Sequence, residues 1–316
     1  MALKKTAAQP RYATKKLLQR IKDHSGFYIL LIPSLVLLVI FTYIPMYGIL
    51  IAFKNFKPIN GIWGSSWVGW YNFKRFFGQA AFWDILKNTL TLSIYSLIAG
   101  FPIPILLALM LNNCEYPWFK KTVQMVTYAP HFISTVVFVG MLNIFFAPTM
   151  GIVQQFLSLF GLADSPLRVL MEAQSFSHLY VWSGVWQGMG WGSIIYLASL
   201  SGVDVSLHEA AVVDGANKFQ QMWYIDLPCI VPTIITLLIL NCGSVLNVGF
   251  EKVYLMQNSM NLTTAEIIST YVYKMGLLNS QYSYSTAIGL FNSVINMILL
   301  VVVDRIAKKM GQDGLF

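Results

Sequence analysis

Apolar positions in this chain fall into long runs separated by short polar interruptions. Six runs, at residues 27–53, 85–111, 123–146, 178–200, 229–250 and 286–306, each lie close to the ~20 residues needed to cross a bilayer core. Inside a membrane each segment must satisfy its own backbone hydrogen bonds, so the runs are read as helices. Proline and glycine punctuate several of them: Pro33 and Pro45 in the first, Gly100-Phe101-Pro102-Ile103-Pro104 in the second, Pro130-His131 in the third. The pattern predicts an all-α integral membrane protein with about six transmembrane helices. The transmembrane domain covers 25–309, with a basic tail at 1–24 and a short tail at 310–316.

Three interruptions have patterns of their own. Residues 58–84 contain WVGWYNFKRFF, which reads as a short interfacial helix after a turn. Residues 148–177 contain GIVQQFLSLFGL, where Ile152, Phe156, Leu159 and Phe160 form one apolar stripe. The third, at 203–228, is the longest polar break in the second half: VDVSLHEAAVVDGANKFQQMWYIDLP. Ser206 and Glu209 fit a capping box, and Ala210, Ala211 and Ala216 are small enough to let another backbone approach. Gly215 is placed to separate two short helices. Phe219, Met222, Trp223 and Ile225 then give an apolar face, and Pro228 is suited to start the fifth span. By spacing alone the stretch is either a handle gripped by another protein or an amphipathic connector that caps the bundle.

Composition excludes a soluble protein. The chain is 56% hydrophobic and 11% charged, whereas a soluble domain carries roughly 25% charged residues. The Lys/Arg distribution gives orientation. With the N-terminus inside, cytoplasmic segments hold thirteen of the 21 bases and outer segments eight. Both termini and the 203–228 loop are therefore expected in the cytoplasm, although the first outer loop holds Lys54, Lys57, Lys74, Arg75 and Lys87. In the tail, Leu17, Leu18 and Ile21 alternate with bases, as in an amphipathic turn on lipid or a disordered basic arm. Lipid is the partner these charges indicate, not nucleic acid. The first run is too long for a signal-peptide core and no small-x-small site follows it, so it is expected to remain as an anchor.

Chemistry-bearing residues are sparse. Cys114, Cys229 and Cys242 fit neither a metal spacing nor a disulfide framework. His24, His131, His178 and His208 lie in different segments, without metal spacing. No catalytic or metal site is expected, which argues against a membrane-embedded enzyme. An ion-coupled secondary transporter or channel predicts intramembrane acidic or Arg pairs, and these are nearly absent, since Glu251 and Asp304 fall at span ends.

The string EAAVVDGANKFQQMWYIDLP resembles the cytoplasmic signature of ATP-binding-cassette importer permeases: Glu-Ala-Ala, a glycine after three more residues, then Ile-x-Leu-Pro. Here those positions are Glu209, Ala210, Ala211, Gly215, Ile225, Leu227 and Pro228, and Asp214 before the glycine resembles the carbohydrate-uptake branch. The segments IPMYGILIAFKNFKP, WVGWYNFKRFF, LKNTLTLS, GFPIPILLALMLN and PHFISTVVFVGML are similar to the LplB-type subgroup, which serves complex oligosaccharides. The resemblance extends over essentially 25–309.

It implies a type I importer permease fold in a bacterial cytoplasmic (inner) membrane. A second, usually different permease subunit would complete the pathway, and an external binding protein would deliver the sugar. The 203–228 loop would be a coupling helix seated in a dimeric cytoplasmic ATPase, driving alternating access. Glu209 would pair with a basic or polar group there, and Ala210, Ala211 and Gly215 would permit close packing. ATP and Mg²⁺ would belong to that ATPase, since this chain has no G-x-x-x-x-G-K-[ST] and needs no cofactor of its own. An importer for a different small solute is the alternative within the family.

Polar residues within the spans are the candidates for the substrate path. Asn241, Ser244 and Asn247 recur every three residues in the fifth run, and Asn292 and Asn296 lie one turn apart in the sixth. The fourth carries Trp182, Trp186, Gln187 and Tyr196, and the third carries His131. Amides bond sugar hydroxyls and aromatic rings stack on pyranose faces, so this set suits an oligosaccharide; each residue equally suits a bond between helices. Gly184, Gly188, Gly190 and Gly192 are read as helix-packing positions. The runs contain no central Lys or Arg, so an acidic, uronate-containing sugar would find its cations at the mouth or on the other permease.

Overall fold

The computed structural model describes residue 19, residues 22–162 and residues 166–309. Most of the basic tail, including Leu17, Leu18 and Ile21, and the tail at 310–316 lie outside the described residues.

The first run is a single rod that changes its winding twice. Helix α1 (Ser25–Leu38) passes through a π turn at Val39–Tyr43 into a 3₁₀ segment at Ile44–Phe53. Pro45 lies at the start of that segment, where it removes an N–H donor and tightens the winding. The rod is apolar on every side; its second half packs on the last helix of the chain, while the first half is exposed throughout. A two-residue antiparallel pair, Lys54–Asn55 with Ser66–Trp67, closes the next loop. Helix α2 (Tyr71–Phe77) follows within the WVGWYNFKRFF stretch, and Asn72 Nδ2 donates to the Ala52 carbonyl at 2.8 Å, tying it to the end of the rod.

Helices α3 (Ala81–Gly100) and α4 (Pro102–Asn112) act as one 32-residue span. Phe101 between them keeps helical angles, and Pro102 falls where a first turn tolerates a missing N–H. The Gly-Phe-Pro-Ile-Pro sequence thus does not interrupt the span. The third run does break. Helices α5 (Pro117–Tyr128) and α6 (Thr135–Phe145) meet at 102°, with a 3₁₀ turn at Ala129–Phe132 between them. Pro130 removes a donor there, and Ser134 Oγ accepts the Val137 N–H to start α6 afresh.

Helix α7 (Ile152–Leu159) lies outside the core with its apolar stripe exposed. Helix α8 (Ala173–Leu200) is the central element and packs on α3, α4 and α5. Its 28 residues give a length of about 42 Å.

The 203–228 stretch folds as α9 (Val205–Val213), a turn at Gly215, and α10 (Lys218–Gln221). A π turn at Met222–Asp226 carries α10 directly into α11 (Leu227–Gly243). The fifth span therefore starts at Lys218 and not at Pro228, because the wider π turn accommodates the proline that an α-helical turn would reject. It also ends earlier than expected: residues 244–249 leave the helix, and α12 (Phe250–Met256) begins afresh. After α13 (Ile268–Tyr273), the last span is α14 (Tyr282–Lys309).

Among the described residues, four helical stretches are long and apolar enough to cross a membrane: Ser25–Phe53, Ala81–Asn112, Lys218–Gly243 and Tyr282–Lys309. The bent α5–α6 pair is a fifth candidate. Helix α8 has the length of a span but is diluted by its glycines and polar side chains and is not among these candidates, so the expected number of about six is approximate. The largest buried cluster joins α3, α6, α8 and α12 through Leu92, Phe138, Val181 and Val253.

Candidate functional site

A cavity of about 580 Å³ opens between α3, α8 and the end of α11. Helix α3 contributes Ser93 and Ser96, and α8 contributes Tyr180, Gly184, Gln187, Gly188 and Tyr196. The third wall is Asn241 at the end of α11, Ser244 and Asn247 in the unwound segment, and Lys252 on α12. The volume exists because one face of α8 carries glycine at every fourth position. At Gly188 a Cβ would meet nothing within 4 Å, and at Gly184 it would stand 3.2 Å from Lys252 Nζ. Gly190, on another face, leaves no room for a Cβ against the Thr127 backbone. Gly190 is a packing position, whereas Gly184 and Gly188 make space.

Non-helical backbone next to a span is tolerated where it lines a cavity and its polar groups find partners. Here α14 supplies them. Asn296 Oδ1 accepts the Leu246 N–H at 3.1 Å, while Asn292 Nδ2 (3.0 Å) and Asn296 Nδ2 (3.2 Å) both donate to Asn247 Oδ1. Asn292 and Asn296 thus hold the wall in shape and are not among its lining residues. Asn241 Nδ2 donates to the Leu237 carbonyl at 2.8 Å, and Gln187 Nε2 to the Ile133 carbonyl at 3.1 Å. Ser96 Oγ is buried without a partner on the same wall.

The tryptophans are elsewhere. Trp182 and Trp186 each stand two residues from Gly184, about 200° around the helix, so they leave the cavity face. Trp182 Nε1 donates to Tyr95 Oη at 2.8 Å, which in turn bonds His178 Nδ1 at 2.9 Å. Trp186 stacks on Phe138 at 5.9 Å. His131 stacks on Trp191 at 4.5 Å between ring centres. Of the ten predicted path residues, the cavity gathers Asn241, Ser244, Asn247, Gln187 and Tyr196.

Lys252 was absent from that prediction. The residue is 9% exposed, and Nζ donates to the Tyr180 carbonyl at 2.8 Å. The ammonium also lies 4.8 Å from the centre of the Tyr180 ring and 5.2 Å from that of Phe138. The sequence carries it just past an apolar run, where a lysine reads as a boundary charge; the break at 244–249 is what turns it into the wall. Helix α12 lies beyond the spanning helices, and burial there pushes the Lys252 ammonium down to about 7.

At the opposite end of α8, about 30 Å from Tyr180 by helical rise, lies the 203–228 loop. Helix α9 is capped by Asp204, whose carboxylate accepts the Ser206 N–H at 3.0 Å; the expected Ser206–Glu209 box is not formed. That bond, with the Ser206 hydroxyl, holds the Asp204 carboxyl below its ordinary value. A capping box does occur at Asn217 and Gln220, starting α10. Gly215 has φ +81°, the left-handed conformation that ends α9. Glu209, Ala210, Asp214, Gly215 and Pro228 are exposed, whereas Ala211, Ile225 and Leu227 are half-buried.

What fixes the loop is a residue the motif leaves open. Asp226 is fully buried; its Oδ1 meets His208 Nε2 at 2.9 Å, and its Oδ2 accepts from Asn113 Nδ2 at 2.6 Å. Asn112 Nδ2 approaches Oδ1 at 3.5 Å. One carboxylate thus joins α9, the root of α11 and the end of α4.

The chain is thus a largely helical one with several membrane-length apolar stretches, a broken helix around a polar cavity and an exposed helix–turn–helix at one end. Residues 86–312 match the family described as binding-protein-dependent transport system inner membrane component, and the chain belongs to that family. It is 45% identical over 296 residues to Protein LplB of Bacillus subtilis (strain 168), covering 94% of this chain and 92% of the relative. It is 42% identical over 302 residues to the polygalacturonan/rhamnogalacturonan transport system permease protein YteP of the same organism, covering 96% and 94%. Among solved structures it is similar to a chain of a bacterial alginate ABC transporter in complex with alginate pentasaccharide-bound periplasmic protein. That likeness has a TM-score of 0.87 and 37% identity, covering 95% of this chain and 100% of the other.

Proposed function

We propose that this chain is one of two permease subunits of an ATP-driven importer, and that it forms half of the path for an acidic, uronate-containing oligosaccharide. The cavity between α3, α8 and α11 carries this reading. It has the size of a small-molecule site, and its amides and hydroxyls suit sugar hydroxyls. The relative named for polygalacturonan/rhamnogalacturonan and the solved structures named for alginate support an acidic cargo.

An external binding protein delivers the sugar from the side of Lys252, and both termini and the 203–228 loop face the cytoplasm. There α9 seats in a dimeric ATPase that binds ATP and Mg²⁺. Closure of that dimer moves the loop as a rigid lever and reopens the cavity outward. The exposure of Glu209, Ala210 and Gly215 on a loop whose interior is tied by a buried carboxylate supports this role: one side is fixed and the other is free for a partner.

The test is reconstitution of the complex with its partner permease, ATPase and binding protein in proteoliposomes. ATP-dependent uptake of a labelled oligogalacturonate is expected, with Glu209→Lys inserting and assembling but losing sugar-stimulated ATPase. Full uptake and stimulation by Glu209→Lys would remove the lever from this loop.

A further inference from the structure

We propose that Lys252 is the carboxylate-recognition residue of the cavity, a subsite that pairs with one uronate group of the passing oligosaccharide. This rests on the oligosaccharide-permease reading above and names the group that would select an acidic cargo.

Among the described residues, Lys252 is the only charged one on the cavity wall. It has no carboxylate partner among the described residues: the ion pairs there are His208–Asp226, Lys218–Glu115, Lys274–Glu266 and Lys308–Asp304. The neighbouring acid, Glu251, is exposed. A buried ammonium without a counter-charge is unfavourable by several kcal/mol in general, so a merely structural position would favour an apolar side chain. An ammonium has three donors, of which the Tyr180 carbonyl takes one. The aromatic faces of Tyr180 and Phe138 support the charge from behind. Gly184 lets the ammonium sit close against α8, since a Cβ there would stand only 3.2 Å from Nζ, and the residue lines the cavity. Gln187, Asn241 and Ser244 line the same cavity to take the hydroxyls of the same sugar. One cation among neutral amides suits a polymer in motion: it attracts each carboxylate in turn without holding the chain by several charges at once.

The test is transport by the assembled complex in proteoliposomes, using trigalacturonate and its methyl ester, which share one skeleton and differ in charge. Loss of a charge-assisted hydrogen bond is expected to lower acid import per assembled complex about tenfold to a hundredfold in Lys252→Met. Lys252→Arg is expected to retain acid import, and ester import is expected to change by no more than about threefold in either variant. A residue that only braced α12 on α8 predicts the reverse order, because Met fills the lysine's space and Arg overfills it. Retained acid import in Lys252→Met, or equal loss of acid and ester in both variants, overturns the assignment. A wild-type complex that imports the ester alone overturns it too and leaves the permease reading standing. A complex that imports neither probe overturns the oligosaccharide reading together with it.

Discussion

His208 Nε2 lies 2.9 Å from Asp226 Oδ1, across the bend that separates the exposed helix of the loop from the helix that lines the cavity. Movement of α9 must therefore drag the root of α11. Asp226→Ala would leave His208 and Asn113 facing a buried gap, and loss of such a bonded carboxylate destabilises by about 2–4 kcal/mol. We expect a lower melting temperature of the purified complex and weaker coupling of ATP hydrolysis to uptake. Asp226→Asn, which keeps both hydrogen bonds when His208 is neutral, should recover most of the loss. A thermal shift assay with stoichiometric uptake-to-ATP measurement reads both.

Gly215 makes a different prediction, because its constraint is conformational. A Cβ there meets nothing within 4 Å, yet φ is +81°. A β-branched side chain in the left-handed region costs roughly 1–2 kcal/mol, while Asn tolerates it. Gly215→Val is expected to weaken capture of the ATPase in pull-down, and Gly215→Asn to leave capture near wild type. Equal capture by both would mean that the turn does not shape the docking face.

Asn241 and Trp186 should separate. Asn241 lines the cavity, so Asn241→Leu is expected to lower oligosaccharide uptake about tenfold with assembly intact, from loss of a polar sugar contact. Trp186 stacks on Phe138 away from the cavity, so Trp186→Ala should lower stability by about 1 kcal/mol through the lost aromatic pair. Its uptake per assembled complex should stay near wild type. Concentration-dependent uptake, normalised to assembled complex, distinguishes the two.

The pH dependence has a definite sign. With Lys252 held near 7, the amine is protonated below that pH and loses its proton above it. Elements packed on α12 bring Tyr180 on α8 and Tyr271 and Tyr273 on α13, while α6 brings no titratable side chain. Apparent affinity for the acidic trisaccharide should therefore fall as pH rises above 7, by up to about tenfold per unit. The methyl ester should show no such trend, and Lys252→Met should flatten the acid's profile.

Much of this molecule is legible from pattern alone. The apolar runs identify the spanning elements, and Gly215 marks the turn in the loop, because hydrophobic length and the left-handed preference of glycine are local properties. The motif from Glu209 to Pro228 identifies the family for the same reason: it is contiguous.

Tertiary packing decided the rest. The span through Pro102 stays whole and the one through Pro130 breaks: Phe101 keeps helical angles, whereas Ile133 and Ser134 after Pro130 take extended backbone. Asn241, Ser244 and Asn247 read as a stripe on one helix, but α11 stops at Gly243 and the amides of Asn292 and Asn296 hold the unwound backbone. Trp182 and Trp186 of α8 turn away because the glycines occupy the cavity face. Asp226 and Lys252 were silent in sequence, since a single carboxylate or ammonium at a span end is usually solvated. Only the chain's long-range contacts bury one beneath the loop and set the other in the wall.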